Sequence, residues 1–431
     1  MAKPVEKPLN NKFEFDVSSG LRRIMRQARK VDLDTRAKSF EEFWHSAVDA
    51  HESLYFREVI GPQGREVTIR DHFTGEIRKL LMFGSNNYLG LADHPFICEK
   101  TVKALEQYGS GIGGPPLLNG YTALMRELEE RIAGLKGAEA AIIYPTGYQT
   151  NLSLVTCLAE RGDLLLCDES HHASLYDGLK MANIPYKTFR HNDVEDLEEQ
   201  LIELRSDARD AFVFVESVHS MDSDLSPIPE LVDICRKYSS YLVVDDAHGT
   251  GVLGKHGRGV GEHFDLEGEI DLVMGTFSKA FASVGGFVAG PAHIIAYLKF
   301  YSRPYMFSAA LPPTVLAGVL ACIDLLEKEP ERVQRLHNNV KHVVEGLGKQ
   351  GIEVSSQGGC VPLLVPSGMN IRKAAFAFHE LGLFMNPIEW PAVPRDKQRF
   401  RVSIMATHTT EDLDRLLSAI EDVWARNSEL Q

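Results

Sequence analysis

In GTFSKAFASVGG, Gly275 to Gly286, one lysine sits among small residues, with Thr276 and Ser278 before it and paired glycines after. Alone, the segment allows two readings of Lys279: a charge beside a surface turn, or an amine nucleophile held in a site. Upstream, YLVVDDAHGTGVLG (Tyr241 to Gly254) carries an apolar strand into Asp245, Asp246 and His248. A carboxylate at a buried strand end must be paired or hydrogen-bonded, because a bare buried charge is costly. Asp245 is therefore either the cap of the next helix or the partner of a protonated ring nitrogen. In IIYPTGYQTN (Ile142 to Asn151) a strand ends at Pro145 and a helix opens at Thr146, Gly147 and Tyr148. Glycine there lets backbone N–H groups approach an anion such as phosphate. CDESHHASLYDG (Cys167 to Gly178) places two histidines just after a strand. Neighbouring histidines on one loop rarely chelate one ion, so no metal is expected, and a ring stacked on a flat cofactor is the alternative. GSGIGG (Gly109 to Gly114) resembles a nucleotide loop but follows no apolar strand, so the dinucleotide fingerprint fails on context. It reads as a loop near a substrate.

These pieces need a common frame. Apolar bursts AAIIYP, DLLLCD, AFVFVES, YLVVDDAHG, DLVMGTFSK and GGFVAGP alternate with helical stretches between Ser85 and Ser308. Short apolar strands separated by helices predict an α/β domain with a largely parallel sheet covered on both faces. Ligands of such sheets bind beyond the carboxyl ends of the strands, where Asp168, Glu216, Asp245 and Thr276 all fall. Before this domain, residues 1–84 read as an N-terminal arm, with REVTIRDHFTGEIRKLLMFG as a hairpin turning at Thr74-Gly75. After it, residues 309–431 read as a smaller α+β unit: a long helix following Leu311, strands at GIEVSS, VPLLVPS and RFRVSIMATHT, and a helix at AAFAFHELG. A phosphate loop at Gly147-Tyr148, a strand-end histidine, a strand-end serine in ESVHSMDSD, then Asp-x-Ala-His and Thr-x-Ser-Lys, in that order, fit pyridoxal phosphate. That cofactor asks for a lysine, an acid for its ring nitrogen, an aromatic neighbour and phosphate donors.

Composition narrows the setting. The 431 residues carry a formal charge of −14, which repels phosphate backbones and argues against nucleic acid as a partner. No apolar run reaches the ~20 residues of a membrane span, and the first residues lack a secretory pattern. Six cysteines without a CxxC pair suggest neither a disulfide framework nor a zinc cage. A cytoplasmic protein is expected, with the inner membrane surface as a peripheral alternative. One stretch has the opposite sign: in SSGLRRIMRQARKVD (Ser18 to Asp32), Leu21, Ile24, Met25 and Ala28 recur at helical spacing among Arg22, Arg23, Arg26, Arg29 and Lys30. It reads as a solvated helix face, or as a dock for an acidic carrier protein, a coenzyme A phosphate or an anionic membrane surface.

The ordered motifs SNNYLGLADHP, YPTGYQTN, ESHHASLYDG, ESVHSMDSDLSPIPEL, VVDDAHGTGVLGKHGRG, GTFSKAFASVGGFVAG, SRPYMFSAALPP and RFRVSIMATHT resemble the α-oxoamine synthase family of fold type I pyridoxal-phosphate enzymes. The serine palmitoyltransferase branch is the most similar, the 8-amino-7-oxononanoate synthase and aminoketobutyrate ligase branches less so. The resemblance implies a homodimer with shared active sites and a decarboxylative condensation of a small amino acid, L-serine first, with a long-chain acyl thioester of coenzyme A or a carrier protein. It implies that Lys279 forms the imine with the cofactor and moves the α-proton, that Asp245 holds the ring nitrogen, and that His172 stacks on the ring. His248 would bond the phenolic oxygen with Ser220 near the same edge. Gly147, Tyr148, Thr276 and Ser278 would hold phosphate, with Ser308 reaching over from a second subunit. Arg401 would take the amino-acid carboxylate, and Asn87, or its neighbour Asn86, would lie in the substrate loop. Two stretches depart from the family pattern: Pro115-Pro116 near the expected thioester entrance, and NPIEWPAVP before the carboxylate arginine. Alternatives are alanine or glycine as the amino acid, an ordinary aminotransferase, and a non-catalytic scaffold subunit; the joint presence of Lys279, Asp245 and His172 weighs against the last.

Overall fold

The computed structural model describes residues 31–390 and 392–430. The basic stretch at Ser18 to Lys30 lies outside them. From the N-terminal side, helix α1 (Leu33–Asp49), capped by the Asp32 carboxylate on the Thr35 N–H, leads into β1 (Glu58–Val59), β2 (Glu66–Arg70) and β3 (Ile77–Met82). The hairpin is present, with Ile69 opposite Arg78. It is built into the body of the protein: Val67, Ile69, Leu80 and Met82 are buried against Met405, and β3 pairs in parallel with a strand at Leu383–Phe384. Alternation of apolar and polar residues gives the hairpin one inner face.

The large sheet follows. Helices α2 (Pro95–Tyr108) and α3 (Ala123–Lys136) precede β4 (Ala140–Tyr144), α4 (Gly147–Leu158), β5 (Leu164–Asp168), α5 (Ala173–Ala182), β6 (Lys187–Phe189), α6 (Val194–Leu204), β7 (Ala211–Glu216), α7 (Ile228–Lys237), β8 (Tyr241–Asp245), β9 (Leu272–Thr276), β10 (Gly286–Gly290) and α8 (Ala292–Tyr301). The seven strands lie in the order β4-β10-β9-β8-β7-β5-β6. All pairs are parallel except those of β10, which runs antiparallel to both β9 and β4. Every residue of β7, β9 and β10 is buried, as expected of strands covered on both faces. The short edge strand β6, with two of its three residues exposed, has no apolar burst to announce it.

The remainder is an α+β layer. The stretch read as one long helix is two, α9 (Pro313–Lys328) and α10 (Glu331–Lys349), parted at Pro330, which has no N–H to continue the ladder. Helix α9 packs on α2 and α3. Then come β11 (Cys360–Leu364), α11 (Ile371–Glu380), β12 (Leu383–Phe384), β13 (Pro387–Ile388), β14 (Arg399–Ser403) and α12 (Thr410–Ala425), with a three-stranded antiparallel sheet β11-β14-β13. GIEVSS forms no strand. The end of β14 grips the chain after β3: Ser403 N donates to Phe83 O at 2.9 Å and Ala406 N to Tyr88 O at 2.7 Å. That grip carries Arg401 up to the mouth of the large sheet.

Candidate active site

The carboxyl ends of β4, β8 and β9, the N-terminus of α4 and the start of α5 enclose a cavity of about 320 Å³ lined by Gly147, Tyr148, Asn151, His172, Ser174, Glu216, Asp245, Thr276, Ser278 and Lys279. Lys279 stands in the loop joining β9 to β10. Three backbone bonds close that loop: Phe277 N to Gly285 O at 3.0 Å, Ser283 N to Phe277 O at 2.8 Å and Ala282 N to Lys279 O at 2.8 Å. Closure forces Ala282 to φ 47°, a conformation side chains other than glycine adopt sparingly. Among the described residues Lys279 Nζ has no hydrogen bond and no ion pair. Burial pushes its ammonium below the ordinary lysine value, against the pull of the nearby Asp245 and Glu216 carboxyls.

Asp245 is placed by register. On β8 it lies beside Glu216 of β7, and its Oδ1 accepts from Ala247 N at 3.0 Å while Oδ2 accepts from Asn151 Nδ2 at 2.8 Å. Asn151 also donates to Ser174 Oγ at 2.9 Å, and Ser174 Oγ meets His172 Nδ1 at 2.7 Å. His172 caps α5, its Nδ1 accepting the Ser174 N–H, so a neutral ring carries its proton on Nε2. Burial lowers its basicity below that of a free imidazole. Glu216 is pushed up by burial and by Asp245 beside it, and its Oε1 has no partner.

The end of the cavity at the N-terminus of α4 is equally local. Thr146 caps α4 by accepting from Gln149 N at 3.1 Å, leaving the N–H groups of Gly147 and Tyr148 at the helix mouth. Thr276 Oγ1 donates to Gly285 O and faces Ser278 Oγ at 2.9 Å. A Cβ on Gly147 would come within 2.9 Å of Thr276 Oγ1, and one on Gly286 within 3.0 Å of Gly147 N. Only glycines allow this approach. The Tyr148 hydroxyl turns away, to Asp177. Ser308 accepts from Gln149 Nε2 at 3.0 Å within the same chain, at the start of the same helix.

Beside the cavity lies a second network. Arg401 donates from Nε to Ser220 O at 2.8 Å, from Nη1 to Asn86 Oδ1 at 2.8 Å, and from Nη2 to the Tyr88 hydroxyl at 2.8 Å and to His248 Nδ1 at 3.3 Å. His248, held well below the ordinary histidine value by burial and by the Lys279 and Arg401 charges, keeps Nε2–H as its donor. Asn87 is a correction. Its Oδ1 accepts from Leu91 N and its Nδ2 donates to Gln63 O, which spends the side chain on the local turn, and Asn86 is the residue that faces Arg401. Ser220 meets Arg401 through its carbonyl. Sequence reading missed Asn151, Ser174 and Tyr88 and gave Glu216 no role. Asn151 had a signal, lying one helical turn beyond Gly147.

The family model Aminotransferase class I and II matches residues 78–420. A serine palmitoyltransferase of Sphingobacterium spiritivorum is 38% identical over 84% of this chain and 89% of its own length. An 8-amino-7-oxononanoate synthase of Thermosipho melanesiensis is 38% identical over 86% of this chain and 93% of its own. The chain belongs to the aminotransferase class I and II family and is one of its α-oxoamine synthases. Among solved structures, a serine palmitoyltransferase from S. paucimobilis with pyridoxal phosphate and myriocin bound superposes with a TM-score of 0.84 at 31% identity, covering 93% of this chain and 100% of the other. That of Sphingomonas wittichii gives 0.85 at 31% identity with the same coverage. The fold is that of the fold type I transferases, the protein is an acyltransferase of α-oxoamine synthase type, and its cofactor is pyridoxal 5'-phosphate. The residues present fit that group: a half-buried amine with no partner among the described residues, a doubly hydrogen-bonded carboxylate, and a glycine-lined helix mouth with two hydroxyls. No helix among the described residues is long and apolar enough to cross a membrane.

Proposed function

We propose that this α-oxoamine synthase condenses L-serine with a long-chain acyl thioester, releasing carbon dioxide, the free thiol and an α-aminoketone. The supporting observation is the convergence of Lys279, Asp245 and His172 on one cavity, with Arg401 held at its edge by Asn86, Tyr88 and Ser220. When bound, pyridoxal phosphate supplies an electron sink that stabilises negative charge at the α-carbon of the amino acid. Asp245 would keep the ring nitrogen protonated, its own orientation fixed by Asn151 and the Ala247 N–H. His248 Nε2–H would donate to the phenolic oxygen, and the His172 ring would lie against the cofactor plane. Gly147 and Tyr148 N–H, Thr276 and Ser278 would hold the phosphate. Arg401 would fix the carboxylate of the amino acid, so that Lys279 Nζ, depressed by burial toward its neutral form, can take the α-proton and later return one. A second copy of the chain, through Ser308 and the aromatic segment around it, would complete the site as a homodimer. The basic arm at Arg22, Arg23 and Arg26 would dock the acyl carrier protein, the coenzyme A phosphate or a membrane surface.

An equal identity to 8-amino-7-oxononanoate synthase favours a second reading, with alanine or glycine in place of serine. The test is a titration of the holoenzyme with a panel of small amino acids, followed through the cofactor's visible absorbance, then addition of thioesters and weighing of the product. Serine alone giving a saturable spectral change and a product lighter by one carbon dioxide supports the proposal. A change with alanine or glycine but none with serine overturns it.

A further inference from the structure

Tyr88 stands in the turn after β3 and is buried. Main-chain bonds fix it there: Tyr88 N donates to Asn86 O at 2.8 Å, and Tyr88 O accepts from Ala406 N at 2.7 Å. The ring lies so close to the main chain ahead of β11 that a Cβ on Gly359 would come within 2.6 Å of its Cδ1. A phenol enclosed in this way needs partners for its oxygen and its hydrogen. It finds them on two different sheets. Arg401 belongs to β14 of the three-stranded sheet, and His248 to the turn after β8 of the seven-stranded one.

The direction of each bond follows from what the groups can give. A guanidinium has only N–H donors, so the Tyr88 oxygen accepts from Arg401 Nη2 at 2.8 Å. The phenol then has one hydrogen to place, with His248 Nδ1 at 3.0 Å and Asn86 Oδ1 at 3.3 Å. Asn86 Oδ1 already takes a hydrogen from Arg401 Nη1 at 2.8 Å, and the imidazole nitrogen is the nearer acceptor. Burial pushes the phenol up to about 12, so its hydrogen stays in place near neutral pH. A chain of donors therefore runs from Arg401 through Tyr88 to His248. The direct contact of Arg401 Nη2 with His248 Nδ1 is longer, at 3.3 Å.

We propose that Tyr88 is a positioning residue for the condensation: one hydroxyl joins the arginine that takes the amino-acid carboxylate to the histidine that faces the phenolic oxygen of the cofactor. This role rests on those proposed for Arg401 and His248. A carboxylate at Arg401 competes for the Nη2 hydrogens that Tyr88 accepts, so filling that site is felt at His248 Nδ1 and, across the imidazole, at Nε2–H. Groups in one hydrogen-bonded network polarise each other, and coupling between two sites is reciprocal. Asn86 provides the contrast. It holds Arg401 through Nη1 and has no hydrogen bond to His248 among the described residues.

The holoenzyme is titrated with L-serine, or with alanine or glycine should the amino-acid panel select one of them, and read through the cofactor's visible absorbance, which needs no turnover. Tyr88→Phe removes one oxygen and keeps the ring. It should raise the amino-acid concentration at half-change about tenfold, and it should also move the absorbance maximum of the amino-acid-free holoenzyme, because His248 loses its nearer donor. Asn86→Ala should raise the same concentration and leave that maximum in place. In an Arg401→Lys background, itself weakened by about tenfold or more, Tyr88→Phe should add less than about twofold, since members of one network are not additive. Additive effects, an unmoved maximum in Tyr88→Phe, or an equal displacement in Asn86→Ala would overturn the proposal. Unchanged amino-acid affinity in Arg401→Lys would remove the carboxylate role of Arg401 and the proposal with it, whereas additivity beside a large Arg401→Lys effect removes the coupling alone. Should Tyr88→Phe fail to fold, the other two variants decide: the maximum should move in Arg401→Lys and stay in Asn86→Ala.

Discussion

Asn151 illustrates how much of the site rests on residues that touch no reactant. It is the single side chain joining Asp245 to Ser174, and through Ser174 to His172. Asn151→Ala should cost about 1.5–3 kcal/mol of cofactor binding, the value of a hydrogen bond to a charged group, read as a rise of at least about tenfold in the concentration needed to restore visible absorbance. Lys279→Ala should abolish both the absorbance of the lysine–cofactor imine and turnover. A variant that kept both would overturn the assignment of the amine. The carboxyl of Glu216 favours the ammonium form of Lys279. Glu216→Gln should therefore shift the pH dependence of Lys279 acylation, measured in cofactor-free protein, to lower pH, and a shift to higher pH would contradict the arrangement. That Lys279, Asp245 and Gly147 line one cavity was legible in the sequence because each stands at a strand-to-loop junction with small residues around it. Asn86 and Asn87 were not separable, since the spacing is identical and only the Leu91 N–H decides which is spent.

At the scale of elements, the carboxyl end of β5 is tied to its neighbours by His191. Its Nδ1 meets Asp168 at 3.0 Å and its Nε2 meets Asp224 at 2.9 Å. Donating hydrogen bonds to both carboxylates raises His191 to about 10. Burial alone would raise the two carboxyls, but the histidine and backbone N–H donors outweigh it and hold both below the usual range. The signs fix a window. The histidine's contribution is complete below the ordinary imidazole value of ~6.5 and fades as the pH rises through about 10. The aspartates' contribution is present above ~3.9 and fades as the pH falls through their depressed values. His191→Gln should cost about 1–3 kcal/mol near pH 6, since it leaves the buried Asp168 carboxyl short of a donor, and the deficit should shrink above pH 10 in urea unfolding curves. A deficit independent of pH would mean that His191 acts through packing alone. Six of the seven strands of this sheet were readable as apolar bursts because they are covered on both faces. The seventh, β6, was not, because an edge strand of three residues carries almost no hydrophobic pattern.

At the scale of the whole molecule, an exposed aromatic cluster bears on assembly. Phe300, Tyr301 and Phe307 are each at least 62% exposed beside Ser308, in the segment that the homodimer reading assigns to subunit contact. Phe300→Glu should convert a species of twice the chain mass into one of single mass in sedimentation, with loss of activity where the wild-type protein dilutes without loss. The hairpin was legible in its residues, but its place was not. Whether residues 66–82 form a free arm or an inner layer depends on Met405 and on β12, more than three hundred residues away, and no local pattern reports such a partner. The reversed strand β10 bears on how the chain assembles. Thr276 and Gly286 are partners only ten residues apart, whereas the β7–β8 pairing of Phe212 with Tyr241 must close a loop of twenty-nine. Shorter loops close at a smaller entropic penalty and local contacts form sooner. The β9–β10 ribbon should thus acquire hydrogen-exchange protection ahead of the crossover pairs during refolding, so that the lysine loop is shaped before the walls around it arrive.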